Sequence, residues 1–90
     1  MEELIEEAAR LFGVTREELT SSSRTQEVVL ARQAAAWALR RRYPDLSLAR
    51  IGELLGGRNH TTIIAAVERA ERLARTDQGY ARLLEALVPQ

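Results

Sequence analysis

Six short runs of apolar residues at helical spacing divide this chain, each closed off by a cap former, a glycine or a proline. None is long enough to hold a helix in water unaided, so the six must bury their faces against one another. Leu4, Ile5, Ala8, Leu11 and Phe12 form the first stripe, which ends near Gly13. Thr15-Arg16-Glu17-Glu18 matches a capping box ahead of a short helix anchored by Leu19. Thr20 to Arg24 is polar and rich in cap formers, an expected exposed loop from which Arg24 projects at a helix entrance. The longest helix is expected from about Thr25 to Arg42. Val28, Val29, Ala31, Ala35, Ala38 and Leu39 supply its apolar face, Ala34 to Ala36 admit close neighbours, and Trp37 packs partly buried. Tyr43-Pro44-Asp45 ends it, and Arg40, Arg41 and Arg42 suit the negative end of its dipole.

Ser47 is the next N-cap, opening a helix over Leu48 to Leu55 that Gly56-Gly57 stops. Asn59 caps a fifth helix from His60 to Arg75, with Thr62 or Ile63 and then Ala66, Val67, Ala70, Leu73 and Ala74 inward. Asp77 caps the last, which carries Tyr80, Leu83, Leu84 and Leu87 and leaves Pro89 outside. There is no internal repeat and no dividing linker. Residues 1–90 are therefore expected to form a single all-α domain of six helices.

Charge narrows the function. The chain has 13 Arg and no Lys against 11 Glu and 2 Asp, a net charge of zero. Yet residues 1–20 hold six Glu and two Arg, whereas residues 21–82 hold eleven Arg against four Glu and two Asp. A basic body behind an acidic first segment is a reason to look for a polyanion, although a charge run is usually only a solvated face. With no cysteine there is neither a disulfide nor a thiolate metal site, and one histidine, His60, builds no histidine cluster. The acids nearest His60 in sequence, Glu53 and Glu68, suggest no catalytic relay. No enzymatic activity, metal or cofactor is expected. Uncharged runs are too short to cross a bilayer and the acidic start lacks the character of a signal peptide, so a soluble cytoplasmic domain is the expectation.

A short helix, a tight glycine-containing turn and a second helix, over about 48–75, describe a helix-turn-helix. Arg58, Asn59, His60, Thr61 and Thr62 gather a guanidinium, an amide, an imidazole and two hydroxyls at the start of its second helix. Free N–H groups there favour phosphate, and the same side chains are able to read base edges. The bland alternative is an ordinary cap at Asn59 with solvated neighbours.

Gly56-Gly57-Arg58-Asn59-His60-Thr61-Thr62-Ile63 resembles the GGRDHTTV signature of the C-terminal DNA-binding domain of the bacterial replication initiator DnaA. Arg32-Gln33 with the alanine-rich helix resembles that family's a-R-Q-i-A-m-y-L segment, and Ser47 to Gly52 resembles S-L-x-x-I-G. The resemblance covers essentially the whole chain. It implies the DnaA/Trp-repressor-like fold and sequence-specific binding of double-stranded DNA at DnaA boxes of a replication origin, in the nucleoid. It further implies that Asn59, His60 and Thr61 face bases in the major groove while Thr62 holds phosphate or a nearby edge. Arg24 would enter the adjacent minor groove, and Arg32, Gln33 and Arg58 would contact the backbone. Arg69 and Arg72 join the backbone set, unless Glu68 and Glu71 on the same helix occupy them.

Members of the family carry an upstream ATP-binding domain that oligomerises and opens the duplex, so that domain and other initiator copies are implied partners. A chain without lysine holds no Walker A site of its own. Three positions depart from the pattern: Asn59 replaces the usual Asp, Ser22-Ser23-Arg24-Thr25-Gln26 is less basic than the family's loop, and Ala65 stands where many members carry His. A protein-interaction module and a transcriptional regulator at dispersed boxes are the competing readings.

Overall fold

Cap formers start four of the helices, and they do so through bonds that are present. The Thr15 hydroxyl accepts from the Glu18 N–H at 3.0 Å, while Glu18 Oε1 accepts from the Thr15 N–H at 2.9 Å, completing the capping box. Ser47 Oγ accepts from Arg50 N–H, Asn59 Oδ1 from Thr62 N–H and Asp77 Oδ1 from Tyr80 N–H, each at 3.0 Å. The computed structural model describes residues 1–88, so the expectation about Pro89 lies outside the described residues. The elements are α1 (Glu2–Phe12), α2 (Arg16–Leu19), α3 (Gln26–Arg42), α4 (Leu48–Leu54), α5 (His60–Thr76) and α6 (Gln78–Leu87). The described residues are all-α, with six helices.

One core serves all of them. Ile5, Leu19, Leu39, Ile51, Ile63 and Leu87, one from each helix, are essentially inaccessible to water. α3 runs through the middle and meets every other helix. Its Ala31, Ala34, Ala35, Ala36 and Ala38 are all fully buried, on more than one side of the helix. Such a helix shows little amphipathic contrast, and its methyl side chains let neighbouring backbones close in. Val29, expected in the core, is only half-buried, because it lines an open cleft beside α5, while Ala34 and Ala36 are buried. On α5 the inward residue is Ile63, and Thr62 is exposed. Trp37 is half-buried with the Arg41 guanidinium 4.9 Å from its ring centre, a cation–π contact at the end of α3.

Tyr80 packs its ring edge-on against Phe12, 5.9 Å between centroids, and is 4% exposed. Its hydroxyl is buried and finds no hydrogen-bond partner among the described residues. Burial raises its pKa to about 12. An unpartnered buried hydroxyl costs on the order of 1 kcal/mol or more, so Tyr80→Phe is expected to leave stability unchanged or raise it by about 1 kcal/mol. Alkali adds a second signature. An unfolded tyrosine loses its proton near pH 10, whereas folded Tyr80 keeps it, so this stability is intact below pH 10 and falls as pH rises through about 12. Urea unfolding at pH 7 and pH 11 tests both: the Phe variant should lose less at pH 11, and a substantial loss at pH 7 would mean that the hydroxyl is partnered.

Candidate nucleic-acid interface

α4, the turn over 55–59 and α5 form the helix-turn-helix. Its tightness depends on absent side chains. The Gly52 carbonyl accepts from the N–H groups of Leu55, Gly57 and Arg58 at 3.2, 2.9 and 2.9 Å, folding the turn back over α4. A Cβ on Gly52 would overlap the Arg58 carbonyl oxygen and lie 2.9 Å from its carbon. Gly56, at φ +97°, brings the turn against the loop after α2, where a Cβ would lie 2.9 Å from the Thr20 carbonyl carbon. The turn is thus seated directly on the polar loop.

α5 begins in solvent. Asn59, His60, Thr61 and Thr62 are exposed, while buried Ile63 roots the helix immediately behind them. Besides capping α5, Asn59 Oδ1 accepts from the Thr61 hydroxyl at 2.7 Å.

The loop over 20–25 is held from beneath by two arginines. Arg32 Nε donates to the Leu19 carbonyl at 2.9 Å, and its Nη2 donates to the carbonyls of Ser21 at 3.0 Å and Ser23 at 3.1 Å. Arg58 donates from Nη1 to the Leu55 carbonyl and from Nη2 to the Ser21 carbonyl. Two guanidinium groups therefore share one loop oxygen. Arg24 remains exposed at the end of the loop.

Between this loop and α5 opens a cleft of about 980 Å³. Arg24, Arg32, Arg58 and Arg69 line it together with Gln33, Thr61 and Thr62, and no carboxylate among the described residues does. None of the four arginines forms an ion pair with Asp or Glu among the described residues. Burial, followed by the positive charges of Arg58 and Arg24, presses the Arg32 pKa below its ordinary value; burial does the same at Arg58. Both still carry their charge at any ordinary pH. The fold thus holds like charges together, and an anion relieves that repulsion. The acidic residues of α1 lie elsewhere: Glu2 and Glu6 pair with Arg16, and Glu7 with Arg10.

Of the expected site residues, seven share the cleft. Asn59 and His60 stand at the head of α5 without lining it, and Arg72 is exposed farther along the same helix. Neither Arg69 nor Arg72 is ion-paired with Glu68 or Glu71 among the described residues. Arg32 and Arg58 differ most from expectation, since much of their donor capacity goes to protein carbonyls. No sequence signal marks this, because the carbonyls of Leu19, Ser21 and Ser23 that accept from them belong to a different segment of the chain. Sequence reasoning also passed over Ile64, 40% exposed and one helical turn beyond His60.

Residues 1–70 match the family model described as the bacterial dnaA protein helix-turn-helix. Among curated relatives, the chromosomal replication initiator protein DnaA of Thermus thermophilus is 45% identical over 94% of this chain and 19% of its own length. DnaA of Synechococcus sp. is 40% identical over 86% of the chain and 16% of its own, and that of Gloeobacter violaceus 37% over 96% and 19%. The chain spans about a fifth of the length of these relatives. It belongs to the bacterial DnaA helix-turn-helix family, as a DNA-binding helix-turn-helix domain.

Proposed function

We propose that this chain binds double-stranded DNA at DnaA-box-like sites of a replication origin and thereby addresses an initiator to them. The observation that carries the reading is the cleft between Arg24 and the exposed head of α5, lined by four arginines and by no carboxylate among the described residues. Adjacent grooves of a duplex are separated by one sugar-phosphate strand. A protein that puts a loop in one groove and a helix in the next must accommodate that strand between them, and here the space between is basic. Thr62, Gln33 and Arg69 contact its phosphates, with Arg72 farther along α5, while Arg32 and Arg58 add charge from the cleft wall. Asn59, His60 and Thr61 meet base edges in the major groove. Ile64, on the same side of α5, offers apolar surface suited to a thymine methyl.

Arg24 enters the minor groove, where a narrow A·T-rich stretch concentrates negative potential. The relatives' name, chromosomal replication initiator, supports the origin as the place of action. An upstream ATP-binding domain and further initiator copies are the partners through which DNA addressing becomes duplex opening, and the nucleoid is the location. Residues 1–90 act as one DNA-binding unit. None of the helices described is long and apolar enough to cross a membrane.

Titrating a DnaA-box duplex and a scrambled duplex at two salt concentrations tests this. The box should bind more tightly. If about five to seven phosphates are neutralised, the logarithm of affinity should fall with the logarithm of salt with a slope of roughly −5 to −6. Equal affinities, or none, would favour a protein-interaction module. Arg24→Ala should weaken binding by about tenfold and erase any preference for A·T-rich flanks. If flank preference stays intact, Arg24 is not in the minor groove.

A further inference from the structure

The head of α5 is chemically polarised in a way that depends on which atoms its own helix has already used. Asn59 Oδ1 accepts two hydrogen bonds, from the Thr62 N–H at 3.0 Å and from the Thr61 hydroxyl at 2.7 Å. An amide oxygen has two lone pairs, so α5 saturates this acceptor. The orientation is forced, because the Thr62 N–H only donates and the amide nitrogen, also a donor, has no lone pair to offer it. Asn59 is exposed, and its Nδ2 makes no hydrogen bond among the described residues. Thr61, having given its proton to Asn59, has only lone pairs left for a ligand.

We propose that Asn59 reads its base pair as a donor only, and that the base it faces is one presenting an acceptor edge in the major groove. This rests on the DNA-binding reading given above. Guanine offers O6 and N7, thymine O4 and adenine N7, whereas cytosine shows only its N4 amino donor there. Cytosine facing Nδ2 sets donor against donor and is disfavoured. Turning the amide over to present oxygen does not rescue it, since that removes the cap from Thr62 N–H and the acceptor from Thr61. Asn59→Asp reverses the polarity without removing the cap. One carboxylate oxygen takes over the bonds from Thr62 and Thr61, and the second becomes an exposed acceptor suited to cytosine N4.

The test is selection of randomised duplex DNA by the wild-type chain and by Asn59→Asp, followed by affinities for a series with each of the four bases at every position. A single position should change between the two proteins. There the wild type should disfavour cytosine by about tenfold, and Asn59→Asp should prefer it by a similar factor. Identical preferences at all positions, or a wild type that selects cytosine where the variant differs, overturn the proposal while leaving DNA binding in place. If neither protein distinguishes any sequence, the DNA-recognition reading itself fails and takes this one with it. Should Asn59→Asp not bind at all, the side-chain amide resonances of wild-type Asn59 decide: a shift on adding the selected duplex supports donation from Nδ2, and unchanged resonances refute it.

Discussion

Gly52→Ala is expected to lower the thermal midpoint of this domain by about 12 °C or more and to abolish the proposed specific DNA binding. In an ordinary helix interior the same change gains about 1 kcal/mol, because alanine is the better helix former. The sign reverses here because a Cβ on Gly52 overlaps the Arg58 carbonyl oxygen, a backbone atom without a rotamer to change. Relief requires the turn to lift off α4, breaking the hydrogen bonds that the Gly57 and Arg58 N–H groups make to the Gly52 carbonyl. Forced overpacking of this kind costs roughly 3 kcal/mol, and each 1 kcal/mol lowers the midpoint of a domain this size by about 4–8 °C. α5 starts two residues after Arg58, so its head moves with the turn. Gly57→Ala is the control: Gly57 has φ +85° but no atom within 4 Å of an added Cβ, so the left-handed backbone alone costs about 1–2 kcal/mol. Scanning calorimetry of both variants checks the ordering, and a Gly52→Ala protein as stable as the wild type would show that the turn is not clamped.

Arg32→Lys is the second large effect, because it separates charge from geometry. If Arg32 acted only as a positive charge near phosphate, lysine would keep affinity within a few-fold. Its Nε and Nη2 instead reach the carbonyls of Leu19, Ser21 and Ser23 together, and an ammonium is a single point that does not span them. Hydrogen bonds to a charged donor are worth about 1.5–3 kcal/mol. Both Arg32→Lys and Arg32→Leu should therefore destabilise the domain by about 2–3 kcal/mol and speed amide hydrogen exchange in the loop that carries Arg24. Box affinity should fall by about ten- to a hundredfold in each. For Arg32→Lys the slope of affinity against salt stays near the wild-type value, since no charge is lost. Retained affinity in the lysine variant, with slow loop exchange, would return Arg32 to the role of a phosphate contact.

Much of the candidate interface is legible in the chain because it depends on local chemistry. The exposed polar cluster from Asn59 to Thr62 follows from a cap former preceding a helix whose first buried residue is Ile63. Arg24 is exposed because Ser21, Ser23 and Thr25 satisfy one another in a short polar loop. The inward use of Arg32 and Arg58 is not legible, since a guanidinium on a helix or in a turn looks the same in sequence whether it meets phosphate or a carbonyl. Apart from Leu55 beside Arg58, the residues that accept from these guanidinium groups stand between 9 and 37 positions away. The partition of Arg69 from Arg72, one inside the cleft and one outside, likewise depends on where α5 lies beside α3.

The sequence alone determined that the chain is helical, where each helix starts and stops, and which residues head α5. Those properties rest on interactions within about four residues: the capping box at Thr15 and Glu18, the caps at Ser47, Asn59 and Asp77, and the breaks at glycine and before Pro44. Tertiary structure alone decided which alanines of α3 are core, that Gly52 and Gly56 are places of backbone contact, and that four arginines line one cleft. The physical reason is range. Capping and periodicity are satisfied inside a single helix, whereas close approach and shared carbonyls exist only once helices distant in the chain have packed.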